Sequence, residues 1–179
     1  MNTARHIIEP AKGVAVEVGY SLSAMEEVRE QLREAVCEMS VEEIARRAVA
    51  GAHSIGALVL HIGEAEWWWM QCILSGHKLT LEDRRKPFWD VLKDVEKFAR
   101  LNFTASDCLR TIDEIREETR QTLAQFDGRD FDRPLSLQMR GTQYEYSLRW
   151  ILHHLIDHEA QHKGQILMLK RLLKENRES

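Results

Sequence analysis

Residues 153–165 of the 179-residue chain read HHLIDHEAQHKGQ and contain four of its eight histidines. Two overlapping pairs, His154/His158 and His158/His162, are spaced by four residues, whereas chance would give about 0.4 such pairs at this histidine content. Residues four apart on a helix lie about 5–6 Å apart at Cβ, and each imidazole nitrogen binds a metal ion at about 2.0–2.1 Å. The stretch therefore predicts a helix that carries a metal-binding histidine pair.

The predicted helix has one apolar side, and His158 and His162 lie on it. At about 100° per residue they share this side with Ile151, Leu155 and Leu169, so we expect them to point into the protein core. A buried polar group without a partner costs roughly 1–3 kcal/mol. A single core histidine is usually satisfied by a hydrogen bond, but a spaced pair on an inward face favours a shared metal ion.

Amphipathic periodicity indicates four long helices, at about 19–39, 54–74, 105–126 and 147–174. The chain has only three prolines, and none of them interrupts a long periodic segment. Four long amphipathic helices in one domain of this length predict an all-α four-helix bundle. We expect the whole chain, 1–179, to form this single domain.

Two of the predicted helices contain a capping-box pattern, in which a hydroxyl residue is followed three positions later by an acidic residue. Ser23 with Glu26 matches this pattern in the first helix, and Thr104 with Asp107 matches it at the start of the third. In a capping box each side chain binds the backbone N–H of the other residue. We therefore expect both pairs to mark helix N-termini.

The connections between the helices carry additional elements. Residues 77–103 contain PFWDVLKDVEKFA, whose apolar spacing predicts a short amphipathic helix. Residues 129–146 contain LSLQMRGTQYEY, which alternates around a glycine and predicts a small hairpin.

Three consecutive tryptophans lie in the predicted second helix. Three consecutive helical positions span about 200°, so Trp67 cannot share the buried side with Trp68 and Trp69. We expect Trp67 to be exposed, or covered by the 77–103 segment or by a second subunit.

The composition limits the classes of function and the cellular locations that we expect for this protein. With 25 basic and 29 acidic residues the net charge is −4, and a short basic cluster such as 84–86 is typical of a solvated surface, so nucleic acid is not indicated. The three cysteines form no C-x-x-C motif, which favours a reducing compartment. The first 13 residues lack the apolar core of a signal peptide, and no apolar run approaches the ~20 residues of a membrane span. We therefore expect a cytoplasmic protein.

A third histidine lies in the predicted second helix. His61, in LVLHIGEAE, shares a stripe with Leu58, Ala65 and Trp68, and it supplies a third imidazole if this helix faces the fourth. Three neutral imidazoles leave the charge of a divalent ion uncompensated and a coordination position open, as in catalytic zinc sites. Cys72 lies about 16 Å further along the helix, too far to close the site.

The sequence HEAQH also matches the H-E-x-x-H motif of zinc peptidases. Such a peptidase needs a third ligand beyond the second histidine, and Glu175 or Glu178 would lie about 20 Å or more along the same helix. No glycine turn with a further histidine follows the motif. The zinc peptidase is therefore the least favoured alternative, and we expect Glu159 to be solvated or to support a ligand.

The motifs HIGEAEWWW on the second helix and HEAQHKGQ on the fourth together resemble the DinB-like superfamily, which includes YfiT-like thiol transferases and mycothiol-dependent isomerases. The resemblance spans nearly the whole chain. It implies that His61, His158 and His162 hold a divalent ion, often nickel or zinc, and it favours this trio over the pair His154/His158. It also implies a homodimer.

The resemblance further implies a metal-dependent enzyme of the thiol S-transferase or hydrolase type that acts on a small molecule. A bound divalent ion would lower the pKa of a coordinated water or deprotonate a low-molecular-weight thiol used as co-substrate. The alternative is a non-catalytic metal-binding or interaction protein of a stress response. Because the sequence offers no fourth protein ligand, it favours the enzyme.

The remaining polar residues near these motifs have several candidate roles. Glu64 is expected to act as an acid or base, to support a ligand, or to be solvated. Gln165 matches the glutamine that follows the second ligand and would orient a ligand or a bound water. We expect His154 to line the pocket or bind a neighbour, His153 to face away, and His53 to be structural.

Overall fold

The structure of the protein is a computed structural model that describes residues 7–139 and 141–178, of which the last three are described by their backbone alone. The expectation about a signal peptide rests on the first 13 residues, and residues 1–6 lie outside this description. In chain order the elements are α1 (Val16–Val36), α2 (Val41–Ala45), α3 (Ile55–Trp67), α4 (Lys97–Leu101), α5 (Ala105–Leu123), β1 (Leu135–Met139), β2 (Thr142–Tyr146) and α6 (Leu148–Glu178).

The four long helices α1, α3, α5 and α6 form a four-helix bundle, which confirms the predicted fold. Helix α1 packs against α6 and α5, and α3 packs against α5 and α6. The apolar core has two parts: one includes Leu32 of α1 and Ile62 of α3, and the other includes Leu22 of α1 and Met70 after α3. None of the described helices has the length and apolarity required to span a membrane.

Helix α3 begins after Ser54, whose hydroxyl accepts a hydrogen bond from the N–H of Ala57 at 3.2 Å. Its helical path continues as a π-helical segment over Trp68–Leu74. There the N–H of Ser75 donates to the carbonyl oxygen of Met70, five residues earlier, at 3.1 Å. The helix predicted over 54–74 is thus present, but its last two turns are wider than an α-helix, which apolar periodicity did not predict.

One of the two predicted capping boxes is confirmed and the other is wrong. The hydroxyl of Thr104 accepts a hydrogen bond from the N–H of Asp107, and the carboxylate of Asp107 accepts one from the N–H of Thr104, both at 3.0 Å. Helix α1, however, already begins at Val16. Ser23 and Glu26 therefore lie inside the helix, where the backbone N–H groups are already bonded to carbonyls one turn earlier.

The predicted hairpin is confirmed: β1 and β2 pair antiparallel, with Met139 opposite Thr142. The short helix predicted within 77–103 is present as α4, but it covers only Lys97–Leu101, because residues 87–96 form turns and a bend. The physical reason is a tertiary contact. Asp90 has a φ of 54°, outside the α-helical region, and its N–H donates to the Glu64 carboxylate at 2.6 Å.

The 77–103 segment covers Trp67, as one of the alternatives predicted. Trp67 is only 3% exposed. The rings of Phe88 and Trp89 lie 6.1 and 6.0 Å from its ring, and the Lys86 ammonium lies 4.1 Å above it. Trp67 is therefore buried within its own chain and gives no support to a subunit interface.

Candidate metal centre

Three histidines from two helices converge at the margin of the bundle. One ring nitrogen from each of His61, His158 and His162 lies within 4.8 Å of the corresponding nitrogen of the other two. Among the residues that the structure describes, no other group of three or more histidine, cysteine or acidic side chains has such a geometry. We call these three residues the histidine trio; they are the three that the sequence predicted as ligands.

The way α3 and α6 pack explains why the histidine trio is accessible. The stripe of α3 that carries His61 and Ala65 is half-buried, whereas Ile62 on the next face is 2% exposed. His158 and His162, one turn apart on α6, are also half-buried. The histidine trio therefore lies at the edge of the apolar core, a shallower position than the sequence predicted, and one side of it is open.

Two of the three imidazoles are held by a neighbour through Nδ1. Glu64 Oε2 lies 3.1 Å from Nδ1 of His61, and Gln165 Oε1 lies 2.9 Å from Nδ1 of His162. A proton on Nδ1 donated to these oxygens leaves the lone pair of Nε2 free, which is the arrangement found around metal-binding histidines. Both residues thus occupy the supporting positions that were among their predicted roles.

The surroundings of His158 and His162 favour the neutral form of these two imidazoles. Burial, together with the neighbouring His162 and His61, lowers the pKa of His158 to about 3. Burial also lowers the pKa of His162, although its hydrogen bond to Gln165 opposes this effect. A neutral imidazole is the form that binds a metal ion, and an all-imidazole donor set suits zinc, nickel and copper. The donor chemistry of the histidine trio therefore fits a divalent ion.

A cavity of about 340 Å³ lies beside the histidine trio and contacts His61 and His158. Its walls are mostly apolar and its charged residues are few. The side chains that form it include Ala65, Trp68 and Trp69 from α3 and its extension, Trp89, Asp90, Leu92 and Lys93 from the 77–103 segment, and His154 from α6.

The other histidines lie outside the trio. His154 lines the cavity and stacks on Trp150, with ring centroids 5.0 Å apart and planes 5° apart. Its ring centroid lies 5.9 Å from that of His158. His153 is exposed, as predicted, and His53 is half-buried. The pair that meets His61 is thus His158/His162, and His154/His158 is not.

A second polar cluster lies deeper in the bundle and joins all four long helices. Arg29 of α1 contacts Glu159 at 2.6 Å and Glu66 at 2.9 Å. Arg116 of α5 contacts Glu66 at 2.7 Å and Glu159 at 3.1 Å. Their side chains are 2–4% exposed. We call these four residues the ionic tetrad.

The ionic tetrad corrects the prediction for Glu159, which is not solvated. Both of its carboxylate oxygens accept hydrogen bonds from Arg29 or Arg116, so it is not available as the general base that an H-E-x-x-H peptidase requires. Burial raises the pKa of Glu66, but the charges of Arg116 and Arg29 outweigh this effect and lower it to about 2. The Glu66 carboxylate is therefore ionised between the two arginines.

Sequence reasoning missed the other members of the tetrad, although the helical pattern contained a signal. Arg29 lies four residues after Met25 and three before Leu32, both of which are fully buried. Glu66 likewise lies four residues after Ile62 and four before Met70. Charged residues at positions that the 3.6-residue period assigns to the core predict buried ion pairs.

A bundle of this topology with a histidine trio on its second and fourth long helices is a DinB-like protein, as the resemblance predicted. More narrowly, the sequence profile of the mycothiol-S-transferase family matches residues 22–174. The chain therefore belongs to this family. No curated protein sequence matches the chain.

Solved structures confirm the fold. A conserved protein from Enterococcus faecalis superposes with a TM-score of 0.65 at 16% identity, covering 85% of this chain and 94% of that one. YfiT from Bacillus subtilis superposes with a TM-score of 0.63 at 19% identity, covering 97% of this chain and 94% of that one. YfiT is described as a probable metal-dependent hydrolase with an unusual four-helix bundle topology. At these identities the likeness shows a shared fold.

Proposed function

We propose that the protein is a metal-dependent thiol S-transferase that joins a low-molecular-weight thiol to a small electrophile at the histidine trio. The observation that carries the proposal is the convergence of three imidazoles, two of them anchored through Nδ1, beside a cavity that His61 and His158 line. Membership of the mycothiol-S-transferase family supports the reaction type. A cytoplasmic homodimer, expected from the composition and the resemblance, is part of the same proposal.

The residues of this chain have distinct tasks in such a reaction. His61, His158 and His162 would hold a divalent ion, nickel or zinc, while Glu64 and Gln165 keep two of the rings oriented. A bound ion of this kind supplies a Lewis acid that deprotonates a coordinating thiol near neutral pH. The proton leaves to solvent, the sulfur forms a bond to the electrophilic carbon, and the leaving group departs with the bonding electron pair.

Thiol transfer fits the site better than hydrolysis. A hydrolase benefits from a free base that takes a proton from water. Of the two acidic residues at the cavity, Glu64 already accepts from His61 and from the N–H of Asp90, and the Asp90 carboxylate pairs with Lys93 at 2.7 Å. A divalent ion would lower the pKa of a coordinated water only towards about 7 but would deprotonate a coordinated thiol outright, so thiol transfer depends less on a protein base.

The first test is metal content, measured by elemental mass spectrometry on protein purified without an affinity tag. We expect about one equivalent of a divalent ion in the wild type and in His153→Ala, whose exposed imidazole lies on the same helix outside the trio. His162→Ala should lose the ion, and His154→Ala should retain it. The absence of metal in the wild type after reconstitution with zinc and nickel would contradict the proposal.

The second test is turnover of the metal-loaded protein. We expect a thiol and an electrophile to be consumed together, and the rate to fall to background after chelation and in His162→Ala. Cleavage of an activated ester without any thiol would instead indicate the hydrolase. Stoichiometric metal with neither reaction across a panel of thiols and electrophiles would indicate the non-catalytic alternative.

A further inference from the structure

The cavity beside the histidine trio is placed and sized for a ligand. It contacts His61 and His158 directly, so a ligand atom bound against these two residues lies next to the proposed metal position. Its volume of about 340 Å³ is at the lower end of the range for small-molecule sites, roughly 300–1,000 Å³. The cavity therefore suits a compact molecule.

The walls of the cavity favour a flat, apolar ligand. The indoles of Trp68 and Trp69 lie 4.9 Å apart with their planes at 77°, so they present two nearly perpendicular aromatic surfaces. Trp89 and Leu92 contribute from the 77–103 segment. An aromatic ligand would gain free energy of binding from edge-to-face and offset contacts with these rings, in addition to the gain from burying apolar surface.

The charges around the cavity disfavour an ionic ligand. Lys93 and Asp90 form an ion pair with each other at 2.7 Å, and Glu64 is engaged by His61 and by the Asp90 backbone. Among the described lining residues, every side chain with a permanent charge thus has a protein partner. Against the tryptophan walls, away from the proposed metal position, a phosphate or carboxylate on the ligand would lie among side chains that already have partners, which is unfavourable.

We infer that this cavity binds the electrophilic substrate, and that the part of the substrate held against the tryptophan walls is uncharged, planar and aromatic or conjugated. The reaction of this substrate rests on the proposed thiol transfer. Its binding does not, because the tryptophan walls are formed by residues other than the metal ligands. Binding and metal content can therefore be tested separately on the same protein.

The test uses two uncharged probes of nearly equal size, nitrobenzene and nitrocyclohexane, which differ in whether the ring is planar and aromatic. Dissociation constants come from NMR titration of the full chain, before and after metal loading. We expect nitrobenzene to bind roughly twofold to tenfold more tightly, the gain expected for one aromatic contact. Equal affinity for the two probes, or no binding of either, would overturn the inference.

Three variants locate the binding. Trp68→Ala removes one wall and Ala65→Phe fills the cavity, so both should weaken nitrobenzene binding by at least about fivefold. The control Tyr144→Ala changes an exposed aromatic residue of β2 outside the cavity and should bind as the wild type does. Unchanged affinity in both cavity variants would refute the assignment. Tight nitrobenzene binding in a protein that holds no metal would support this inference while the proposed function fails.

Discussion

The two polar clusters of this protein are built on the same two helices and have opposite characters. Helix α3 carries His61 and Glu66, and α6 carries His158 and its neighbour Glu159. At about 100° per residue, the histidine and the glutamate of each helix point in different directions, roughly 140° apart on α3 and 100° apart on α6. The glutamates face α1 and α5, and the histidines face the cavity.

The comparison shows how a buried polar group becomes either structural or functional. The ionic tetrad contains two arginines and two glutamates, so each charge finds opposite charges within 3.1 Å. The histidine trio contains three imidazole donors, two of which already use Nδ1 for an anchor. In the first cluster every charge has partners of opposite charge, whereas the second brings three donor nitrogens within 4.8 Å of one another, an arrangement that a cation would complete.

The largest effect is expected from breaking the tetrad. Arg29→Met leaves Glu66 and Glu159 buried with one arginine between them, and unpairing a buried charge costs about 3–5 kcal/mol. Urea unfolding at pH 7 measures this loss. The control Arg33→Met, on the same helix, removes a half-exposed ion pair with Asp113 and should cost less than about 1 kcal/mol. Equal losses in the two variants would show that the tetrad has no special role.

A slightly smaller effect is expected from acid. The pKa of Glu66 is about 2 in the folded protein, against 4.5 for a glutamate in an unfolded chain. Between these pH values the unfolded chain binds more protons, so stability rises with pH. The contribution of Glu66, about 3 kcal/mol, is full above pH 4.5 and is lost as the pH falls towards 2.

Urea unfolding between pH 5 and pH 2.5 measures this loss. Glu66→Gln cannot titrate, so its stability should fall less steeply with pH than that of the wild type. The exposed Glu118→Gln, which leaves the tetrad intact, should follow the wild type. Parallel curves for all three proteins would contradict the assignment of the acid sensitivity to the tetrad.

The parts of the molecule that local sequence decides were predicted correctly. The periodic helices, the cap at Thr104 and the hairpin each depend on residues a few positions apart. The capping box at Ser23 failed because the helix already begins at Val16, and Glu26, inside it, contacts Arg116 and Arg120 of α5. The short helix predicted within 77–103 is confined to Lys97–Leu101 because Asp90 binds Glu64, which lies 26 residues away and is not visible to local periodicity.

The two clusters differ in the same way in what the sequence reveals. His158 and His162 are one turn apart, so their spacing indicates a shared metal ion. The stripe on the second helix and the family resemblance add His61. Arg29 is separated by 37 residues from Glu66 and by 130 from Glu159. A single sequence does not show which buried charges meet across helices, even where the helical period places each of them in the core.

Metal binding should separate the two clusters, because a divalent ion is expected to bind the histidine trio and not the ionic tetrad. At a free metal concentration 100 times the dissociation constant, the wild type should gain about 2.7 kcal/mol in free energy of unfolding. His158→Ala should gain much less, while the exposed His153→Ala should gain as much as the wild type. Thermal or urea unfolding with and without the ion measures this gain. A similar gain in His158→Ala would place the ion elsewhere.

The smallest of these effects separates an anchor of a ligand from a structural charge. Glu64→Gln retains an oxygen that can accept from Nδ1 of His61 but removes the charge, and loss of such a supporting partner typically lowers metal affinity by about 10- to 100-fold. Competition with a chelator measures the affinity, and Gln165→Glu, which adds a charge at the other anchor, should raise it.

The stability of the metal-free protein should change little in Glu64→Gln. The Glu64 side chain is 14% exposed, and both of its hydrogen bonds can be kept by an amide oxygen or replaced by water. The free energy of unfolding should therefore change by less than about 1 kcal/mol. Arg29→Met should show the opposite pattern, a large loss of stability. If Glu64→Gln lost stability and kept its metal affinity, Glu64 would belong with the tetrad as a structural charge, and the division between the two clusters would fail.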